Sequence, residues 1–188
     1  PISIMGLGRI GTSAAFRAKA LQFRVVADDP YTPNGTELGV GVERVRSLEA
    51  LMERTNTLSI HAPLTPETRG LISRERIARM KPHALLINVS RGPVVDDDAL
   101  IDALRKGSIG GAALDVFATQ PLPSDHPYFG FDNVIVTPHL AGITEESMMR
   151  MGVGAASEAL LVLANKLPVN LRNPEVAAHY RRRFPADA

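Results

Sequence analysis

Three glycines, Gly6, Gly8 and Gly11, restrict this chain more than any other feature. They stand between a short apolar run, Ile2–Met5, and a helical pattern, Thr12–Leu21, in which Ala14, Ala15, Phe16, Ala18 and Leu21 form a small apolar face. The chain must therefore turn from strand to helix through glycine. Gly6 permits a tight turn, Gly8 leaves the backbone open to close approach, and Gly11 lets helix and strand pack together. The unpaired amides of the first helical turn then face outward and favour an anion.

The rest of the chain repeats the alternation. Further strand candidates are Arg24–Ala27, a weak Glu43–Val45, Thr57–His61, Leu85–Asn88, Ala112–Asp115 and Val134–Val136. Helical patterns at Ser47–Arg54, Arg74–Met80 and Asp97–Lys106 fall between them, and a Gly-, Pro- and Asn-rich loop surrounds Pro33, Asn34 and Gly35. Such alternation predicts the α/β class: a Rossmann doubly wound parallel sheet with helices on both faces. A last helix over Glu145–Asn165 carries one apolar stripe through Met149, Val153, Ala156, Leu160 and Leu163, and Pro168 stops it. Val169–Ala188 is polar and basic, with too little apolar content for its own core. The expected division is therefore a Rossmann domain over residues 1–166 and a tail over 167–188.

Charge and composition exclude several classes. Lys+Arg 21 against Asp+Glu 20 leaves a net charge of +1, which offers no broad footprint for nucleic acid. Arg181, Arg182 and Arg183 read as a solvated helix end. Zero cysteines remove thiolate metal sites and a cysteine nucleophile. His61, His83, His126 and His179 show no metal-ligand spacing, and no metal is expected. Asp96, Asp97 and Asp98 precede a helix and read as its cap and dipole partners. No apolar run approaches the roughly 20 residues of a membrane span. A soluble, cytoplasmic domain without membrane contact is expected.

The strand–glycine–helix context turns Gly6, Gly8, Arg9, Ile10 and Gly11 into a dinucleotide fingerprint. It requires an acidic residue closing the second strand, and Asp29 stands 18 residues after Gly11. Its carboxylate would accept the adenosine ribose hydroxyls and repel a 2′-phosphate, favouring NAD over NADP. Asp28 adds a second charge to that preference.

Beyond the fingerprint lie Asp29-Pro30-Tyr31, His61-Ala62-Pro63-Leu64-Thr65, Asn88-Val89-Ser90-Arg91-Gly92, Ala113-Leu114-Asp115-Val116-Phe117 and Thr137-Pro138-His139. In these motifs, their order and their spacing, the chain resembles the cofactor-binding domain of the D-isomer-specific 2-hydroxyacid dehydrogenases. The resemblance implies that Arg91 holds the substrate carboxylate and polarises the carbonyl, a task suited to a planar, permanently charged guanidinium. It implies His139 as the general acid/base and Asp115 as a contact of the nicotinamide carboxamide. It places His61, Pro63, Val89, Ser90 and Gly142 along the cofactor cleft. The third catalytic position, commonly Glu, is Gln120 here, which keeps a hydrogen bond to the histidine but removes a charge.

The implied partner is a small 2-hydroxy or 2-keto acid. The family also has an N-terminal segment that makes most of a substrate domain and contributes to a homodimer. A chain read from Pro1 without that segment is expected to be incomplete for turnover, and Val169–Phe184 resembles the returning tail. Two other readings stand beside this one. Formate oxidation matches Gln120-Pro121 with Asp125-His126-Pro127. A non-catalytic NAD-sensing module would resemble the dehydrogenase-like corepressors.

Overall fold

The computed structural model describes residues 1–183. They fall into two compact units, Pro1–Ala141 and the segment from Gly142 onward. In the first unit seven strands run β1 (Ile2–Met5), β2 (Val25–Asp28), β3 (Glu43–Arg44), β4 (Thr57–Ile60), β5 (Leu85–Asn88), β6 (Gly111–Leu114) and β7 (Val134–Val136). Between them lie α1 (Arg9–Ala20), α2 (Thr36–Val40), α3 (Leu48–Arg54), α4 (Arg74–Ile77) and α5 (Asp97–Arg105). The strands form one sheet in the order β3-β2-β1-β4-β5-β6-β7, and every neighbouring pair is parallel. This is the doubly wound order, with its switch point between β1 and β4.

Register matters most for function. Asp28, Met5, Ile60, Asn88, Leu114 and Val136 pair across the sheet in one row. Each strand therefore releases its following loop at the same edge. Gly6, Asp29, His61, Val89, Asp115 and Thr137 all leave the sheet there.

Alternating strand residues divide the core. Ile4, Val25 and Ala27 join Ala15 and Ala18 of α1 and Val40 of α2. Met5, Val26, Leu58 and Ile60 join the buried faces of α3, α4 and α5. Small residues on α1 allow it to approach β1 closely; a Cβ on Gly11 would lie 1.9 Å from the Gly6 carbonyl oxygen. Ser47 and Asp96 cap α3 and α5 by accepting the amides of Ala50 and Ala99. On β5 and β7, Leu85 is 44% exposed and Ile135 67%.

Three elements differ from the sequence expectation. Helix α1 begins at Arg9 rather than Thr12, because Gly8 itself is the N-cap and the turn feeds the helix directly. The stretch read as a loop around Gly35 contains α2, bracketed by left-handed Gly35 and Gly41. Helix α4 stops at Ile77.

In the second unit α6 (Glu145–Leu163) opens with a capping box between Thr144 and Ser147. Helix α7 (Ala177–Arg183) ends in Arg181, Arg182 and Arg183, and neither helix buries a residue. Among the described residues no helix is long and apolar enough to cross a membrane. Residues 184–188, the end of the expected tail, lie outside the described residues.

Candidate active site

At the end of β1 the backbone reverses through Gly6 at φ +96°, where a Cβ would crowd Ala62 N at 3.0 Å and His61 C at 3.1 Å. Only glycine fits this turn. Gly8 is the opposite case, with nothing within 4 Å of its would-be Cβ. It caps α1 without any side-chain hydrogen bond, so the amides of the first turn are left for a ligand. Arg9 and Ile10 stand exposed in that turn. An anion at this helix end meets an open approach and oriented N–H donors, which fits a pyrophosphate.

Asp29 holds this turn to the end of β2. Its Oδ2 accepts Leu7 N–H at 2.7 Å, and its Oδ1 accepts Tyr31 N–H at 2.9 Å and Thr32 N–H at 3.1 Å. The glycine turn, the end of β2 and the loop after β4 together line a cavity of about 860 Å³ that includes Gly8, Asp28, Asp29, His61 and Pro63. Tyr31 donates a hydrogen bond to Glu67 and so joins two of these loops. His61 pairs through Nε2 with Ser59 Oγ at 2.9 Å, and burial pushes its pKa down, favouring the neutral ring. Pro63 gives its carbonyl to Thr68 Oγ1 at 2.6 Å, which fixes the loop's path.

The Arg91 loop is shaped by a buried asparagine. Asn88 Oδ1 accepts both Ser90 N–H at 3.0 Å and Ser90 Oγ–H at 2.9 Å, while its Nδ2 donates to Arg91 O at 3.0 Å. Val89 is carried across this turn half-buried, and the Arg91 side chain is exposed. Arg91 Nη1 donates to the Ser90 carbonyl at 2.6 Å. Gly92 packs hard on the next loop; a Cβ there would sit 2.0 Å from Phe117 C. This contact brings Arg91 beside the segment that carries Gln120.

Gln120 and His139 meet. His139 Nδ1 lies 3.1 Å from Gln120 Oε1, and Gln120 Nε2 donates to Phe117 O at 3.3 Å. The Phe117 carbonyl sets the amide so that its oxygen faces the ring. Nδ1 then carries a proton, and Nε2 is the atom left to exchange one. Both residues line a second cavity of about 370 Å³, with Phe117, Leu122 and Phe129 as apolar walls. His139 is held at φ +59°, in the left-handed region that a non-glycine residue seldom adopts.

Asp115 imposes that conformation. Buried to 4% exposure, it accepts Thr137 Oγ1–H at 2.5 Å, Leu140 N–H at 2.7 Å and Ala141 N–H at 2.9 Å. Burial works to raise its pKa, but these hydrogen bonds and the nearby His139 outweigh it and hold the carboxyl below its ordinary value. Asp115 thus clamps both sides of His139. Gly142 opens the second unit, where its carbonyl accepts Ser147 Oγ–H.

Asn88, Thr137 and Gly92 shape the site in ways that their letters alone do not disclose. All three lie inside quoted motifs, so the signal was there without its mechanism. Tyr128 does the same; buried, it donates to Asp97 Oδ1 at 2.6 Å and packs on Phe117, anchoring the loop that bears Gln120. Among the described residues no three His, Asp or Glu side chains could together hold a metal ion.

Known proteins place this geometry. Residues 1–141 match the family described as D-isomer specific 2-hydroxyacid dehydrogenase, NAD binding domain. A glyoxylate reductase of Thermofilum pendens is 43% identical over 175 residues, covering 93% of this chain and 52% of that protein. A D-3-phosphoglycerate dehydrogenase of Methanocaldococcus jannaschii is 42% identical over 172 residues, 92% of this chain and 33% of that protein. The structure of D-lactate dehydrogenase with NAD+ from Lactobacillus jensenii superposes with a TM-score of 0.81 at 29% identity, over 89% of this chain and 54% of that one. The chain thus spans about half of the first sequence relative, a third of the second and about half of that structure. Sheet order, glycine turn and matched residues agree: the chain belongs to the D-isomer-specific 2-hydroxyacid dehydrogenase family, as its NAD-binding domain.

Proposed function

We propose that the chain is the cofactor half of an enzyme that transfers hydride between NAD(H) and a D-2-hydroxy acid or its 2-keto acid. The observation that carries this is the His139–Gln120–Phe117 relay, which leaves His139 Nε2 as the proton-exchanging atom. Bound NAD(H) would supply the hydride or take it up. The uncapped start of α1, with Gly6, Gly8, Arg9, Ile10 and Gly11, would hold its pyrophosphate, and Asp29 would exclude a 2′-phosphate. His61, Pro63, Val89, Ser90 and Gly142 would border the cleft, and Asp115 would reach the carboxamide while clamping His139.

During keto-acid reduction, Arg91 pairs with the substrate carboxylate and draws charge toward the carbonyl oxygen. His139 Nε2–H gives its proton to that oxygen as the carbon is reduced, and takes one back in the reverse direction. Reduction therefore needs the protonated ring and oxidation the neutral one.

The same reading assigns residues 1–166 to the cofactor domain and 167–188 to a tail of the substrate domain. It takes the working enzyme as a cytoplasmic homodimer with no nucleic-acid or membrane partner. Gln120 favours a second reading, formate oxidation, because an amide orients the ring without charging it. The test, made on the enzyme complete with its substrate domain, is NADH-dependent reduction of glyoxylate, hydroxypyruvate and 3-phosphohydroxypyruvate, with NAD+-dependent formate oxidation in parallel. His139→Gln should abolish keto-acid reduction while NADH still binds. Undiminished reduction by that variant would remove His139 from the mechanism.

A further inference from the structure

The two neighbouring carboxylates at the end of β2 differ in what they hold. Asp29 is committed to three backbone amides, those of Leu7, Tyr31 and Thr32. Asp28 is half-buried, yet among the described residues its carboxylate accepts no hydrogen bond and forms no ion pair. Arg44 is the cation nearest in effect, but its guanidinium donates to Asp29 O at 2.5 Å and pairs with Glu37 at 3.6 Å. Asp28 also borders two spaces at once: the 860 Å³ cavity and an adjoining polar recess of about 290 Å³.

We propose that Asp28 is a specificity-determining acceptor that reads hydrogen-bond donors on the adenosine half of the dinucleotide, while Asp29 mainly builds the pocket. This rests on the reading that the larger cavity holds that adenosine. A partly desolvated carboxylate without donors is costly in the free chain. The charges facing it are Asp29 and Glu49, which repel it, and Arg44, which attracts it; burial, the largest influence, raises its pKa. Adenosine offers the donors that the protein withholds: two ribose hydroxyls and the exocyclic amine of adenine. A charge-assisted bond to either would turn an unfavourable group in the free chain into a favourable one in the complex.

The sign of two effects separates this role from a structural one. Asp28→Asn and Asp28→Ala should raise the melting temperature of the free protein, because they remove the unpartnered charge. The same variants should weaken NADH binding about tenfold or more, the loss expected for one hydrogen bond to a charged group.

Calorimetry with NADH and with its hypoxanthine analogue, which lacks the amine, identifies the donor. If the parent prefers NADH and Asp28→Asn erases that preference, the donor is the amine. If the variant loses affinity for both equally, the donors are the ribose hydroxyls. Either result supports the proposal. Affinities within twofold of the parent, or weaker binding with a lowered melting temperature, overturn it while leaving the NAD-binding reading intact. Absence of NADH binding by the parent would overturn both.

Discussion

Replacing Asp115 with Asn should disable the clamp around His139 at a measurable cost to the fold. Two donors converge on Oδ1, Thr137 Oγ1 and Leu140 N, and one on Oδ2, Ala141 N. An asparagine can keep its carbonyl oxygen toward the first two, but its NH2 then opposes the Ala141 N–H. One charge-assisted bond is lost, worth about 1.5–3 kcal/mol, and two fall to neutral strength, about 1 kcal/mol each. Relief of the buried charge offsets part of this, so a net loss of about 2–4 kcal/mol is expected. Urea unfolding measures it, and amide exchange at Leu140 and Ala141 localises it.

Acid should act on the same clamp. The folded pKa of Asp115 lies below its unfolded value, so the stabilisation is present above the unfolded pKa of about 3.8 and is lost as pH falls through the folded one. A loss under about 1 kcal/mol, with unchanged protection of both amides, would refute the clamp.

Three further outcomes follow from the geometry. Gln120→Glu places a carboxylate on His139 Nδ1 and favours the protonated ring, so in the enzyme complete with its substrate domain keto-acid reduction should persist to higher pH in a rate–pH profile; an unmoved profile would mean that the contact does not govern proton transfer. Asp29→Ala removes three backbone clamps and the charge facing a 2′-phosphate, so calorimetry should show weaker NADH binding and a smaller NADH-over-NADPH preference, and an undiminished preference would clear Asp29 of that role. Tyr128→Phe loses the bond to Asp97, whose remaining partner is His126 at 3.3 Å; unfolding should show a loss of about 1–2 kcal/mol, and one below about 0.5 kcal/mol would deny the anchor.

What the sequence discloses depends on distance along the chain. The glycine turn, the strand–helix alternation and the Asp96 cap depend on residues a few positions apart, so pattern alone reveals them. Helix α2 escaped because Thr36–Val40 is five residues long and flanked by the glycines that ordinarily mark loops. Within the site, resemblance could name Asp115, but not that its oxygens reach residues 22 to 26 positions away. The Tyr128–Asp97 and Tyr31–Glu67 bonds, spanning 31 and 36 positions, leave no periodic trace. Asp28 and Asp29 look equivalent as letters. Only the folded backbone shows that one carboxylate is satisfied and its neighbour is not.

The margins of the sheet carry a consequence for self-association. At one margin β3 is two charged residues long, and Glu43 is braced by Arg24 and Arg54, each at 2.7 Å. At the other, β7 is three residues long and is followed at once by Thr137-Pro138. Short, charged or proline-bounded margins deny an incoming strand the ladder it needs. Fibril growth by strand addition is thereby blocked in both directions.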